Sequence, residues 1–329
     1  MYENAMARIF FKVLILSAST SVFHLIGLPG TRLAAENQPL AEISSQEIPS
    51  LGTVGKVELI QSGFKFLEGP AKAPDGKIFF TDIPAATIYQ LGVDGKITEF
   101  FKPSGFANGL MYAGNGRLFI CQMEGKLSMI DLASNQLVVL AEQYQGVRFN
   151  APNDLVVDRE GGIYFTDPRY RAPEPWPQTV ESFYYRNKDG VVTRLGEGLK
   201  APNGIALSPD ESTLYVIPSM QSDMMAYPVD SPGRIGAGRV FCQLQQVDGQ
   251  TDGGGDGLAV DAKGNLYITS AAGIQVFSDA GELLGIVKVP EQPANCAFGG
   301  EDNSTLFITA RTGLYRCRMP IAGHLQYTE

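Results

Sequence analysis

Histidine is almost missing from this chain: its 329 residues include only His24 and His324, each close to a chain end. A Ser-His-Asp or Cys-His nucleophilic arrangement, a histidine-rich zinc site and a histidine general base therefore have almost nothing to be built from. Any catalysis falls to carboxylates, amides and a metal. Cysteine is scarce and scattered, and Cys121, Cys242, Cys296 and Cys317 form no C-x-x-C pair, so a thiolate metal knuckle or a thioredoxin-type motif is unsupported. Plain buried thiols and bridges both remain open for them. Positive charge is in deficit, with 26 Lys+Arg against 35 Asp+Glu and a net charge of -9, which argues against a nucleic-acid surface. There is no Walker loop and no G-x-S-x-G elbow, and the glycines of Gly233–Gly238 are out of order for a dinucleotide loop.

Long apolar runs are missing too, with one exception. Arg8 and Lys12 precede a mostly apolar stretch from Val13 to Leu28, followed by Ala34-Ala35. That order fits a secretory signal over residues 1–35 and an exported, periplasmic or secreted protein. A membrane anchor wants about 20 uninterrupted apolar residues, and Ser17, Ser19, Thr20, Ser21 and His24 break this run. No stable membrane insertion is expected after cleavage. Residues 36–54 read as a linker and 320–329 as a C-terminal tail.

Glycine and proline, by contrast, are plentiful, at 37 and 20 residues, a density that favours many short strands over long helices. Over 55–319 one unit recurs six times. Glu68-Gly69-Pro70, Asn108-Gly109-Leu110, Asn153-Asp154-Leu155, Asn203-Gly204-Ile205, Asp256-Gly257-Leu258 and Asn295-Cys296-Ala297 each open a short apolar stretch, 40, 45, 50, 53 and 39 residues apart. An aromatic, Phe79, Phe119, Tyr164, Tyr215, Tyr267 or Phe307, follows 11 or 12 residues later, after a turn. Four-stranded propeller blades repeat at about 40–50 residues. The expected fold is all-β, a six-bladed β-propeller with a metal site in its central channel.

The first strand of each blade lines the channel, so the six openers should converge. They make a ring of two carboxylates, Glu68 and Asp256, and four amides, Asn108, Asn153, Asn203 and Asn295, with no cationic member. Such a ring suits one hard divalent cation: Ca2+ is favoured, taking about 6–8 oxygens, with Zn2+, Mn2+ and Mg2+ left open. Asn-Gly and Asp-Gly are also everyday turn formers, but Glu68 in the same register is not one. Asp82, Gln122, Asp167 and Ser270 lie fourteen residues after their openers and should return to the same rim.

The motifs Leu67-Glu68-Gly69-Pro70, Ala151-Pro152-Asn153-Asp154 with Tyr164-Phe165-Thr166-Asp167-Pro168, Pro202-Asn203-Gly204 and Asp256-Gly257-Leu258 resemble the senescence marker protein/gluconolactonase/luciferin-regenerating enzyme (regucalcin-like) family. The resemblance spans nearly all of 55–319 and implies a six-bladed propeller that hydrolyses sugar lactones or related cyclic esters with a divalent metal. It implies Glu68, Asn203 and Asp256 as metal ligands, with Asn153 beside both metal and substrate. Asn108 and Asn295 follow only from the internal repeat. Some relatives place a sugar-binding arginine just before the third-blade asparagine; the nearest here is Arg148, five positions earlier.

The mechanism expected is metal-assisted ester hydrolysis with Asp256 taking the proton of the attacking water, Asp154 or Asp167 being substitutes. A small-molecule lactone is the expected partner, touched by Asn153, Asn108, Asp167 and Tyr170. Tyr170 belongs to a proline-rich loop, Pro168–Pro177, which holds the single tryptophan, Trp176, and reads as a lid or wall over the channel. A non-catalytic binding propeller is the main alternative. Strictosidine synthase-like and arylesterase-like propellers are others, although the arylesterase type uses a channel histidine.

Overall fold

The computed structural model describes residues 43–73 and 75–325, among which there is no helix. The signal-like segment 1–35 lies outside the described residues, and no described helix is long and apolar enough to cross a membrane.

Six antiparallel sheets form the blades of a propeller. The innermost strands are Leu67–Lys72, Ala107–Tyr112, Leu155–Val157, Pro202–Leu207, Gly255–Val260 and Asn295–Gly299, and each packs on the next around a closed ring. Within every blade the strands follow in chain order from the channel outward, with one exception. Blade six takes its outer strand from the other end of the chain: Glu58–Ser62 pairs with Gly313–Arg318. Ring closure is therefore non-covalent, carried by ladder hydrogen bonds between segments more than 250 residues apart.

The core lies between blades. Each repeat aromatic sits in a different apolar cluster: Phe79 between blades one and two, Phe119 between two and three, and so on to Phe307, which packs with Leu67, Ile78 and Phe80 where blade six meets blade one. Burying such a side chain stabilises by about 2–3 kcal/mol. The repeat is thus a device for wedging an aromatic between neighbouring sheets.

Two segments differ from their sequence reading. Residues expected to be linker include a hairpin, Gln46–Ile48 with Gly52–Val54, whose Ile48, Leu51 and Val54 join the cluster between blades five and six. The tail is tied down as far as it is described: His324 N–H reaches Val260 O, and the Asn303 side chain bonds Gly323 O at 2.8 Å. His324 and Leu325 thereby line, with Asp154 and Asn295, a channel cavity of about 220 Å³. His324 is the only described histidine. All four cysteines are buried and unpaired, and burial pushes the Cys242 and Cys317 thiols up to about 12.

Candidate functional site: the ring of openers

Most openers lie inside first strands rather than in turns. In blades one, two, four and five, the pairing with the second strand slips by one residue at the opener and its glycine, between Glu68 and Ala71, Ala107 and Leu110, Pro202 and Ile205, and Gly255 and Leu258. A bulge of this kind re-aims a side chain. The glycine has a second duty: a Cβ on Gly69 would meet Asn108 O, one on Gly109 would meet Asp154 Oδ1, and one on Gly257 would meet the Asn295 side chain. Opener-glycine pairs thus let neighbouring first strands approach at the channel wall. Blade six, whose opener is followed by Cys296, has no slip in that pairing.

This close approach gives a direct prediction. Gly109→Ala forces its methyl into Asp154 and Asn153 O, 2.8 Å away. We expect about 1–3 kcal/mol of destabilisation, together with loss of whatever activity the ring supports. An unchanged melting temperature in scanning calorimetry would contradict the packing argument.

The second strands fasten the ring. Hydroxyls of Thr81, Thr166 and Thr269 donate to carbonyls of the following blade, Asn108 O, Asn203 O and Ala294 O, at 3.1, 2.7 and 2.7 Å. Cys121 Sγ does the same to Asp154 O at 3.5 Å. Of the residues fourteen after the openers, Asp82, Gln122 and Asp167 hold the chain entering the first strand, whereas Ser270 Oγ donates to Gly273 O. Asp82 accepts from Lys65 and Phe66 N–H, and Gln122 Nε2 donates to Ser104 O. Asp167, expected to touch substrate, is buried and accepts from Asn150 and Ala151 N–H at 2.9 and 2.8 Å, which holds that loop. The Arg148 guanidinium is also engaged by main chain: its Nη1 donates to Phe149 O and Asn150 O, 2.7 Å each.

The openers are brought together. Glu68, Asn108, Asn153, Asn203 and Asn295 are between 3% and 6% exposed. Asn295 Nδ2 donates to Glu68 Oε2 at 3.0 Å, as does Gly69 N–H at 2.9 Å. Asn203 Nδ2 lies 2.5 Å from Asp256 Oδ1 and 2.9 Å from Ser219 Oγ, with Tyr170 OH at 3.5 Å. Asn153 is fixed through its main chain, N–H to Thr166 O and O to Gly109 N–H. Asn108 Oδ1 is buried without a hydrogen-bond partner.

Electrostatics distinguish this ring from a structural polar network. Burial, then the charges of Asp256 and Asp154, hold the Glu68 carboxyl well above its ordinary range. Burial pushes Asp256 up to about 7, against the pull of the Asn203 hydrogen bond and the Arg311 charge, and it takes Asp154 to about 7 as well. Three carboxylates, two of them buried and Asp256 partly exposed, thus repel one another with no lysine or arginine among the openers.

Two mouth residues were not anticipated, Ser219 and Arg311. Their signal is positional: the residue directly after each second strand is Ile83, Met123, Pro168, Ser219, Ala271 or Arg311, so the rim is readable once strand ends are known. The proline-rich loop reaches the mouth through Tyr170, while Arg171 stacks on Phe106 at 3.8 Å and Arg169 on the half-exposed Trp176 at 3.9 Å.

No set of three His, Cys, Asp or Glu side chains among the described residues surrounds one point as a metal cage. The donor chemistry still fits a hard divalent cation: repelling carboxylates with amide oxygens beside them. Amides would have to complete the shell, and the absence of His and Cys from the ring disfavours zinc. A groove of about 710 Å³ lies elsewhere, on the outer edges of blades two and three near Leu140–Gly146 and Val192.

A six-bladed propeller with an acid- and amide-lined channel mouth is the class of protein these features define. The chain belongs to the family described as the SMP-30/Gluconolactonase/LRE-like region, whose model matches residues 66–312. It is 32% identical over 293 residues to the gluconolactonase of Zymomonas mobilis, covering 81% of this chain and 82% of that protein. A lactonohydrolase of Aspergillus oryzae, oryL, is 27% identical over 245 residues, 66% of this chain and 56% of that one. Among solved structures, the gluconolactonase XC5397 from Xanthomonas campestris superposes with a TM-score of 0.76 at 28% identity, covering 85% of this chain and 98% of its own.

Proposed function

We propose that this protein is a lactonase that opens a sugar lactone or related cyclic ester at the channel mouth with the help of one divalent cation, Ca2+ by preference. The observation that carries the reading is the gathering at the channel mouth of three carboxylates, the buried Glu68 and Asp154 and the partly exposed Asp256, each raised in pKa and none paired with an opener cation. Membership of a family with relatives named gluconolactonase and lactonohydrolase supports the choice of reaction.

Glu68, Asn203 and Asp256 would hold the cation, with Asn153 beside it. When bound, it would supply Lewis-acid polarisation of the ester carbonyl. The rest of the work belongs to the chain. Asn203 and, through it, Ser219 and Tyr170 fix the Asp256 carboxylate, since Oδ1 is held and Oδ2 is left to act. Asp256, a carboxylate held at the mouth by Asn203, takes the proton of the attacking water. Asn153 orients the lactone, while Tyr170 roofs the mouth and limits water to the reacting molecule.

The test is a hydrolysis screen of glucono-1,5-lactone, xylonolactone and simple aryl esters with purified protein. We expect turnover with a divalent cation, loss in chelator and recovery on re-addition. No turnover with any cation would leave a binding propeller as the better description.

A further inference from the structure

The mouth is two-sided. Blades four and six contribute polar groups, Ser219 and Arg311, to the rim positions, whereas blades one and two contribute Ile83 and Met123. Ile83, Met123 and Ala151 form a buried apolar cluster, and Phe66, Phe106 and Tyr170 pack over it, partly exposed. A polyhydroxylated molecule resting on that side finds mainly carbon surface, bordered by the guanidinium groups of Arg171 over Phe106 and Arg311 over Phe66.

Within this apolar side stands one polar group with unused capacity, the Asn108 side chain. The residue is 3% exposed and cannot turn away: its carbonyl accepts from Thr81 Oγ1 at 3.1 Å and lies against the Cα of Gly69, where a Cβ would not fit. Its amide nitrogen faces Met123 Sδ at 3.9 Å. A thioether has no proton to give, so the nitrogen belongs on that side and the oxygen on the other. That oxygen, Oδ1, has no partner. Buried acceptors are satisfied in the great majority of cases, and one that is not calls for a ligand that brings a proton. Asn108 has no hydrogen bond to Glu68, Asp154 or Asp256, the carboxylates that repel one another across the ring. A cation drawn to those charges has no reason to sit at Asn108.

We propose that Asn108 reads a single hydroxyl of the substrate. Oδ1 accepts the O–H hydrogen bond of one ring hydroxyl, and Phe66, Phe106 and Met123 cover the carbons around it. The inference rests on the lactonase reading and narrows it to hydroxylated lactones recognised on this side through one hydroxyl. Recognition is asymmetric for a physical reason. A site built around a buried acceptor rejects an analogue that leaves the acceptor bare, whereas an apolar wall hardly notices the loss of other hydroxyls.

The experiment compares kcat/KM for glucono-1,5-lactone, its singly deoxygenated analogues and δ-valerolactone, in the wild type and in Asn108→Leu, with the divalent cation saturating. In the wild type one deoxy analogue should be about 5- to 100-fold poorer than the parent, and the others should stay within about threefold. Asn108→Leu should level that series by losing rate on the hydroxylated lactones, with Ca2+ affinity by calorimetry unchanged. Losses spread evenly over the analogues, valerolactone turned over as well as the parent, or a preference that survives in Asn108→Leu would overturn the proposal. So would a Ca2+ affinity that falls about tenfold in the variant, because the oxygen would then serve the cation. If Asn108→Leu does not fold, the wild-type series alone decides. No turnover of any lactone would instead defeat the hydrolase reading, an outcome separate from all of these.

Discussion

Glu68→Gln should abolish tight divalent-cation binding and lower lactone hydrolysis by about 100-fold or more, as expected when several kcal/mol of carbonyl polarisation are removed. The substitution keeps the side chain's shape and an oxygen for Asn295 Nδ2 and Gly69 N–H, so the blade-six to blade-one contact survives. What it removes is charge. Glu68 is repelled by Asp256 and Asp154 in a desolvated ring, and a neutral amide there relieves the repulsion. The cation-free variant should therefore melt at or above the temperature of the cation-free wild type. Lost activity with undiminished stability is the signature of a functional site rather than a structural one. Isothermal titration with Ca2+ and scanning calorimetry read both halves. Hydrolysis or Ca2+ affinity equal to wild type would remove Glu68 from the cation site.

The second large effect is the pH dependence of stability without metal. Asp154 and Asp256 have folded pKa values of about 7 against an ordinary 3.8, raised chiefly by burial, and Glu68 moves the same way. Below about pH 4 these groups are protonated in both folded and unfolded chains, and their contribution is fully present. Between about pH 4 and 7 the unfolded chain gives up protons that the folded chain keeps, so stability falls as pH rises, by an amount on the order of several kcal/mol. Exposed carboxylates act in a different window. Asp210, lowered to about 2 by hydrogen bonds from Ser208 and Ser212, loses its contribution only as pH drops below about 4. In chelator, the melting temperature should peak near pH 4–5 and decline toward pH 8. Ca2+ favours the ionised ring, so the stabilisation it adds should be larger at pH 8 than at pH 5. A chelated protein that grows more stable from pH 5 to 8, or a Ca2+ shift equal at both, would refute the shared-charge account.

How legible was this from the chain alone? Blade number, blade register and the six openers were readable because a propeller reuses one local unit. The same turn, aromatic and channel residue recur at near-constant spacing, and each aromatic proves to wedge between two sheets. The glycine after each opener was harder to interpret. In sequence Asn-Gly reads equally as a turn, and only the approach of the next blade shows that Gly69 and Gly109 are needed for room at the channel wall.

What the sequence by itself determined was everything periodic: strand content, six repeats, the scarcity of histidine and the ring of carboxylates and amides. Tertiary structure alone decided the rest. It closed the ring with Glu58–Ser62, committed Asp167 and Arg148 to main-chain partners, brought Ser219 and Arg311 to the mouth, and left Asn108 Oδ1 without a donor. The reason is that a repeat specifies which way a residue faces within its own blade. Which groups it meets depends on blades 40 to more than 200 residues away, and burial and mutual charge exist only once those blades have closed on one another.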